Sequence, residues 1–190
     1  MLEELNKIKE LNLIKDNEIF YSAFFSKEHL TKLFNELKNN ESLSFNQLID
    51  ITAIDHPSKE KRFELVYILL SMKQNKRVIL KTHLEENDNI DSLTEIFQAS
   101  NWYERECYDL FGIKFNNHPD LRRIMTDYNF EGFPLRKDFP LTGHTEVRYD
   151  DVEKKVVYEP VKLTQEYRDF DYTSPWEGMT KGIDEQSEQE

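Results

Sequence analysis

The sequence has one cysteine, Cys107, among its 190 residues. A lone thiol permits no intrachain disulfide, no four-thiolate iron–sulfur cluster and no zinc ribbon. Glycine is also scarce, with five in all. None stands in a G-x-G-x-x-G, G-x-x-x-x-G-K-[ST] or G-x-S-x-G arrangement, so the common nucleotide loops and the nucleophile elbow are missing. The longest apolar stretch, near Leu65 to Leu70, falls far short of the roughly 20 residues that span a bilayer. Met1-Leu2-Glu3-Glu4-Leu5-Asn6 carries neither the basic flank and apolar run of a secretory signal nor the Arg-rich character of a transit peptide. Neither export nor organelle import is expected. Basic charge is short as well: 25 Lys and Arg face 37 Asp and Glu, a net charge of −12. That balance opposes binding to phosphate backbones, so nucleic acid is not an expected partner.

Aromatics, by contrast, are plentiful: 13 Phe, 9 Tyr and 2 Trp are too many for a disordered chain. Leu2, Leu5, Ile8 and Leu11 recur every third residue and predict a short amphipathic helix. A strand is predicted over Glu18 to Phe25. Ser26 then stands at an N-cap position before Leu30, Leu33, Phe34 and Leu37, the i, i+3, i+4, i+7 set of one helical face. From Phe45 the period changes. Leu48 to Asp55, Arg62 to Met72 and Arg77 to Leu84 read as strands, and the hairpin-length turns at 57–60 and 74–76 make them an antiparallel meander. Phe63 to Leu70 is apolar on both faces, which suits an interior strand. Ser92-Leu93-Thr94-Glu95 has the form of a capping box and predicts a helix that turns Leu93, Ile96 and Phe97 inward. These elements define an α+β class, a two-layer sandwich of helices over a mixed sheet.

After Gly112 both periods fade. Three of the five glycines (112, 132, 143) and three of the six prolines (119, 134, 140) fall between 112 and 143, amid aromatics at no fixed spacing. The stretch is charge-balanced, with Lys114, Arg122, Arg123, Arg136 and Lys137 against Asp120, Asp127, Glu131 and Asp138. Flexible linkers are polar, and long irregular segments in compact domains tend to be functional or docked. Aromatics and Arg are enriched at the buried centres of interfaces. We therefore expect an α/β domain over 1–111, an extended docking segment over 112–182 in which Arg168 to Gly178 repeats the aromatic and charged pattern, and a solvated acidic terminus over 183–190.

Five histidines (29, 56, 83, 118, 144) are spread singly and form no metal motif. Cys107 lies among Glu104, Glu106 and Asp109, acids that raise a thiol's pKa and oppose a nucleophilic role. Glu104-Arg105-Glu106 with Asp109, Arg122-Arg123 and Arg136-Lys137-Asp138 could be acid and base machinery. An independent enzyme would use Glu104, Glu106 and His118 in that way. The same charges read better as an ion-pair network, since no ligand-positioning loop accompanies them.

The motif residues carry a resemblance. Glu104-Arg105-Glu106-Cys107-Tyr108-Asp109-Leu110-Phe111-Gly112-Ile113-Lys114-Phe115, followed by His118-Pro119-Asp120-Leu121-Arg122-Arg123-Ile124, resembles the E-R-E-x-Y-D-[LM]-F-G-I-x-F-x-x-H-P-x-L-R-R-I signature of the C-type (30 kDa) subunit of proton-pumping NADH–quinone oxidoreductase, respiratory complex I. Asp127 to Gly143 is similar to that family's D-[YW]-x-F-x-G-[HF]-P-L-R-K-D-[FY]-P-L-x-G, and Arg168 to Gly178 to its R-x-F-D-[FY]-x-S-P-W-E-G tail. The resemblance implies a cofactor-free subunit of the peripheral arm, an α/β domain whose C-terminal segment wraps the D-type subunit of complex I, its main partner. Flavin, iron–sulfur clusters and the quinone pocket would belong to other subunits, and no catalytic residue is carried over. Glu104, Arg105, Glu106, Asp109, His118, Pro119, Arg122, Arg123, Arg136, Lys137, Asp138, Phe139, Arg168 and Trp176 are implied as structural or partner contacts. Membrane association would come only through the complex, on the cytoplasmic face of a bacterial inner membrane or the matrix face of an organelle. Related subunits also serve membrane-bound hydrogenases and the plastid or cyanobacterial NAD(P)H dehydrogenase-like complex, which the residues alone leave open.

Overall fold

The computed structural model describes residues 2–16 and 20–165. The chain divides into two compact units after Gly143. In the first, a single helical turn, α1 (Leu2–Leu5), precedes β1 (Asn12–Asp16) and β2 (Phe20–Phe24). The predicted N-terminal helix thus stops after one turn, although Leu5 and Ile8 still reach the core. Ser26 is extended and caps no backbone N–H, its hydroxyl going to Glu28. A 3-10 turn at Lys27–His29 leads into α2 (Leu30–Asn39), which buries Leu30, Leu33, Phe34 and Leu37 as the spacing predicts. Each of these side chains is worth about 2 kcal/mol of transfer free energy as an upper estimate.

The meander forms as β3 (Gln47–Asp55), β4 (Phe63–Ser71) and β5 (Lys76–Leu84), with Asn75 taking φ +48° in its second turn. The sheet runs β1-β2-β5-β4-β3, antiparallel except for the parallel pair of β2 with β5. It is a mixed sheet, and β4 lies inside it. One face is covered: the ring of Phe34 meets Tyr67 edge-on at 5.0 Å, and Phe25 tilts against both. The capping box opens no helix. Glu104 rather than Glu95 takes up a free N–H there, that of Leu93, and Ser92 turns back on Thr94, so the chain makes one turn and begins α3 at Ser100.

The helix α3 (Ser100–Phe111) lies on β3, where the Cys107 thiol donates to the Ile51 carbonyl at 3.3 Å. It ends at Gly112 with φ +82°, the left-handed cap that glycine supplies without strain. A short parallel pair, β6 (Asn89–Asp91) with β7 (Lys114–Asn116), stitches the start of the following segment to the loop before α3. Residues 117–143, called the arm below, hold no regular element.

Residues 112–143, expected as the start of an extended docking segment, fall with the α/β domain in the first compact unit. The second unit contains a hairpin that the sequence pattern did not reveal, β8 (Thr145–Asp150) with β9 (Lys155–Pro160). Its turn is held by the Asp150 carboxylate, which accepts the N–H groups of Val152 and Glu153. Arg168, Trp176 and the 183–190 terminus lie outside the described residues.

Candidate functional site

The motif charges divide into two groups, each fastening the arm to the α/β domain. The first centres on Asp109, fully buried on α3. One of its carboxylate oxygens accepts the N–H groups of Ile124, Met125 and Thr126 at 3.0, 2.6 and 2.8 Å. The other takes Arg123 at 2.8 Å and the Thr126 hydroxyl at 2.5 Å. Burial pushes this carboxyl up, but the hydrogen bonds outweigh it and hold it well below the usual carboxylate range. Arg123 also donates to the carbonyls of Asp109 and Gly132 and lies over the rings of Phe130 and Phe133. Arg105 reaches from α3 to the carbonyls of Arg122 and Arg123 at 3.1 and 3.0 Å, its guanidinium over Trp102.

The second group sits where β3 ends. Arg62 grips Asp55 through two bonds of 2.7 and 2.9 Å, and Asp55 also accepts the Lys137 N–H at 2.7 Å. Arg62 extends to Asp138 at 3.0 Å. Its bond to Asp55, aided by Asp138, holds the guanidinium far above its ordinary value. Arg136 donates to the Phe111 carbonyl at 2.6 Å and to Glu86 at 2.7 Å, sandwiched between the rings of Phe63 and Phe133. Phe139 packs on Phe130 with ring centres 5.8 Å apart. Asp55, Arg62 and Glu86 did not emerge from the sequence. The only signal was the inward alternation of β3, which aims Asp55 at the core side.

The remaining motif residues stand apart from these groups. His118 engages the Asn101 carbonyl through Nε2 and accepts the Asp120 N–H at Nδ1, both at 3.1 Å. Arg122 pairs with Asp120 at the surface, where such a bridge is worth little. Pro119 is exposed, and Glu106 is half-buried on α3. Glu104 is sealed in the core. Burial pushes its carboxyl up to about 7, against the opposing pull of Ser92, Leu93 and Ser100. Burial likewise pushes the Cys107 thiol well up. The clefts of about 470, 250 and 480 Å³ are lined by none of Glu104, Glu106 or His118, so the acid and base grouping does not converge on them.

Arg123 and Arg136 of the arm turn toward the domain, while Met125 is 67% exposed and Tyr128 73%, with Leu135 and Leu141 also open; on α3, Trp102 is 62% exposed. The geometry defines an α+β domain whose arm is pinned by ion pairs and leaves Met125, Tyr128, Leu135 and Leu141 open.

Comparison with known proteins specifies the family. The model for the respiratory-chain NADH dehydrogenase 30 kDa subunit matches residues 24–145. The C-type subunit of NADH-quinone oxidoreductase from Hyphomonas neptunium is 54% identical over 157 residues, 83% of this chain and 78% of that protein. Its counterpart from Ruegeria pomeroyi is 58% identical over 142 residues, 75% of this chain and 71% of that one. Among solved structures, the trypsin-resistant fragment (1-134) of Nqo5 is similar with a TM-score of 0.55 at 27% identity, covering 63% of this chain and 96% of the fragment. A chain of an archaeal membrane-bound sulfane sulfur reductase shares the fold, with a TM-score of 0.67 at 22% identity over 91% of this chain and 95% of that one. The chain belongs to the respiratory-chain NADH dehydrogenase 30 kDa subunit family.

Proposed function

We propose that this chain works as the C-type subunit in the peripheral arm of a proton-pumping NADH–quinone oxidoreductase, a positioning component with no catalytic residue of its own. The observation that carries the reading is the family match, which spans α3 and the whole arm. Relatives named for NADH–quinone oxidoreductase favour this host over a hydrogenase or plastid-type assembly. Residues 112–182 dock on the D-type subunit, with Met125 and Tyr128, and Trp102 of α3, as anchors and Arg168 and Trp176 as further contacts. Glu104, Arg105, Asp109, Arg123, Arg136, Lys137 and Asp138 shape that surface from behind, whereas Glu106, His118, Pro119, Arg122 and Phe139 border it.

Chemistry supports a positioning role. A general acid or nucleophile needs access to substrate, while Glu104, Cys107 and Asp109 are buried and the paired arginines are spent on backbone carbonyls and carboxylates. Flavin, iron–sulfur clusters and quinone belong to other subunits in this reading, and fixed spacing of those centres is what a pinned arm provides. Among the described residues no helix is long and apolar enough to cross a membrane; in this reading the chain attaches peripherally, through the complex, on the cytoplasmic or matrix face. The test is to place Arg123→Ala and Asp138→Ala in the intact complex and run native gels. We expect assembled complex to fall while quinone reduction per assembled complex is kept. Normal abundance with lost quinone reduction would overturn the proposal.

A further inference from the structure

Residues 92–99, between β6 and α3, cover part of the core without a regular element of their own. The segment closes on itself, with the N–H groups of Ile96 and Phe97 both donating to the Leu93 carbonyl and that of Ser100 to Phe97. It lays Leu93, Ile96 and Phe97 into the core cluster. Outward, the Ser92 N–H donates to the Asn116 carbonyl, Lys38 of α2 reaches the Ile96 carbonyl, and the Leu93 N–H donates to Oε1 of Glu104 at 2.7 Å.

That last tie ends on a carboxyl with no exposed surface. Among the described residues no cation pairs with it, and its Oε2 accepts no hydrogen bond. Ser92 and Ser100 stand beside it, but their hydroxyls are engaged with Thr94 and with the Phe97 carbonyl. Tyr67 of β4 and Cys107 of α3 are the titratable groups coupled to it, and burial pushes both well up, so neither titrates near neutrality. Asp50 of β3 and Glu106 of α3 bear on Cys107, while Glu95 of the segment is exposed. A carboxylate left in such a place must either bind a proton or gain access to water. Strand ladders and helical bonds hold β4 and α3. The irregular segment is the cover with the least bonding, and water reaches the carboxyl most readily through it.

We propose that Glu104 is the pin of a proton-operated latch: as the neutral acid it keeps residues 92–99 closed over α3, and as the carboxylate it opens that segment to solvent while the sheet and the arm stay in place. The closed segment holds the proton at about 7, whereas an opened one returns the carboxyl toward the ordinary 4.5. Opening is therefore rarest below about 4.5, grows with pH between the two values and levels off above about 7. Each opening uncovers Leu93, Ile96 and Phe97, so the open form stays a minority and calls for a probe that counts rare events.

Hydrogen exchange of the full-length chain is such a probe, read by peptide mass spectrometry from pH 5 to pH 8 and corrected for the intrinsic pH dependence of amide exchange. Peptides within residues 93–99 are expected to exchange faster than those of β4 at every pH, with an opening constant that rises about fiftyfold across the range. The rise is expected to vanish in Glu104→Gln. Peptides within residues 122–128, whose donors rest on Asp109, are expected to show no rise in either protein. An opening constant that stays level with pH in the parent would overturn the proposal. Protection of 93–99 equal to that of β4 would overturn it too, since the opening would then be global rather than a latch. The parent's own pH series decides the matter even where the substitution fails to fold.

Discussion

At the scale of single residues the chain invests most in Asp109. A carboxylate that accepts three consecutive backbone N–H groups, a hydroxyl and a guanidinium organises a turn that has no regular element to hold it. Removing it would orphan those donors and leave Arg123 half-buried without its counterion, a combination that costs far more than the loss of a surface bridge. Asp109→Ala should lower unfolding free energy by about 3 kcal/mol or more, read from urea midpoints, while Asp120→Ala, which breaks only the exposed pair with Arg122, should change it by under about 1 kcal/mol. Gly112 is constrained from two sides. Its φ of +82° is strained for any other residue, and an added Cβ would lie 2.7 Å from both Arg136 and the Phe133 ring. Gly112→Ala is accordingly expected to cost about 1–3 kcal/mol and to loosen Arg136 from Phe111. An unchanged melting temperature would contradict this account.

At the scale of elements, the arm behaves as a strap with two buckles, Asp109 with Arg123 and Asp55 with Arg62. Asp55→Asn keeps the shape but removes the charge that Arg62 pairs with and weakens the acceptor for the Lys137 N–H. Limited proteolysis within residues 133–143 should then quicken by about tenfold before the sheet itself opens. A cleavage rate equal to that of the parent would show the second buckle to be idle. How far these elements were legible beforehand follows from the range of the interactions that make them. The α2 helix and the β3 to β5 meander announce themselves through local periodicity, because Leu30, Leu33, Phe34 and Leu37 need only their own helix to share a face. The predicted helix at Ser92 fails because its N-terminal donor is claimed from eleven residues away by Glu104, a tertiary contact that no local pattern encodes. The same holds for the arm. Its charges were visible as a network, but their partners Asp55, Arg62 and Glu86 lie many residues upstream, so the pattern pointed to docking on a neighbour, while the structure shows these charges fastening the arm to its own domain. The β8–β9 hairpin was hidden because one of its faces, Val147, Tyr149, Val156 and Tyr158, remains over half exposed and its opposite face is charged, a pattern that reads as irregular.

At the scale of the whole molecule, the two buried carboxylates of α3, Asp109 and Glu104, set opposite limits on stability. Asp109 titrates below the ordinary carboxylate value of 3.8 in the folded chain, so its contribution is present above that value and is lost as pH falls through and beneath it. Glu104 runs the other way. Its folded value of about 7 stands above the 4.5 of an ordinary glutamate, so the folded chain binds this proton more tightly than the unfolded one between those limits. Stability from Glu104 is whole below about 4.5 and is lost as pH rises through about 7. The protonated form suits its surroundings: Oε2 and the buried Tyr67 hydroxyl have no hydrogen-bond partner, and a proton on the carboxyl gives that region a donor. Unfolding free energy should therefore fall by on the order of 3 kcal/mol between pH 5 and pH 8. Glu104→Gln retains an acceptor for the Leu93 N–H and supplies a permanent donor, so its urea midpoint should stay level across that range and exceed the parent's at pH 8. Parallel slopes for the two proteins would mean that Glu104 is ionised in the folded chain, and the alkaline loss would then have to come from another group.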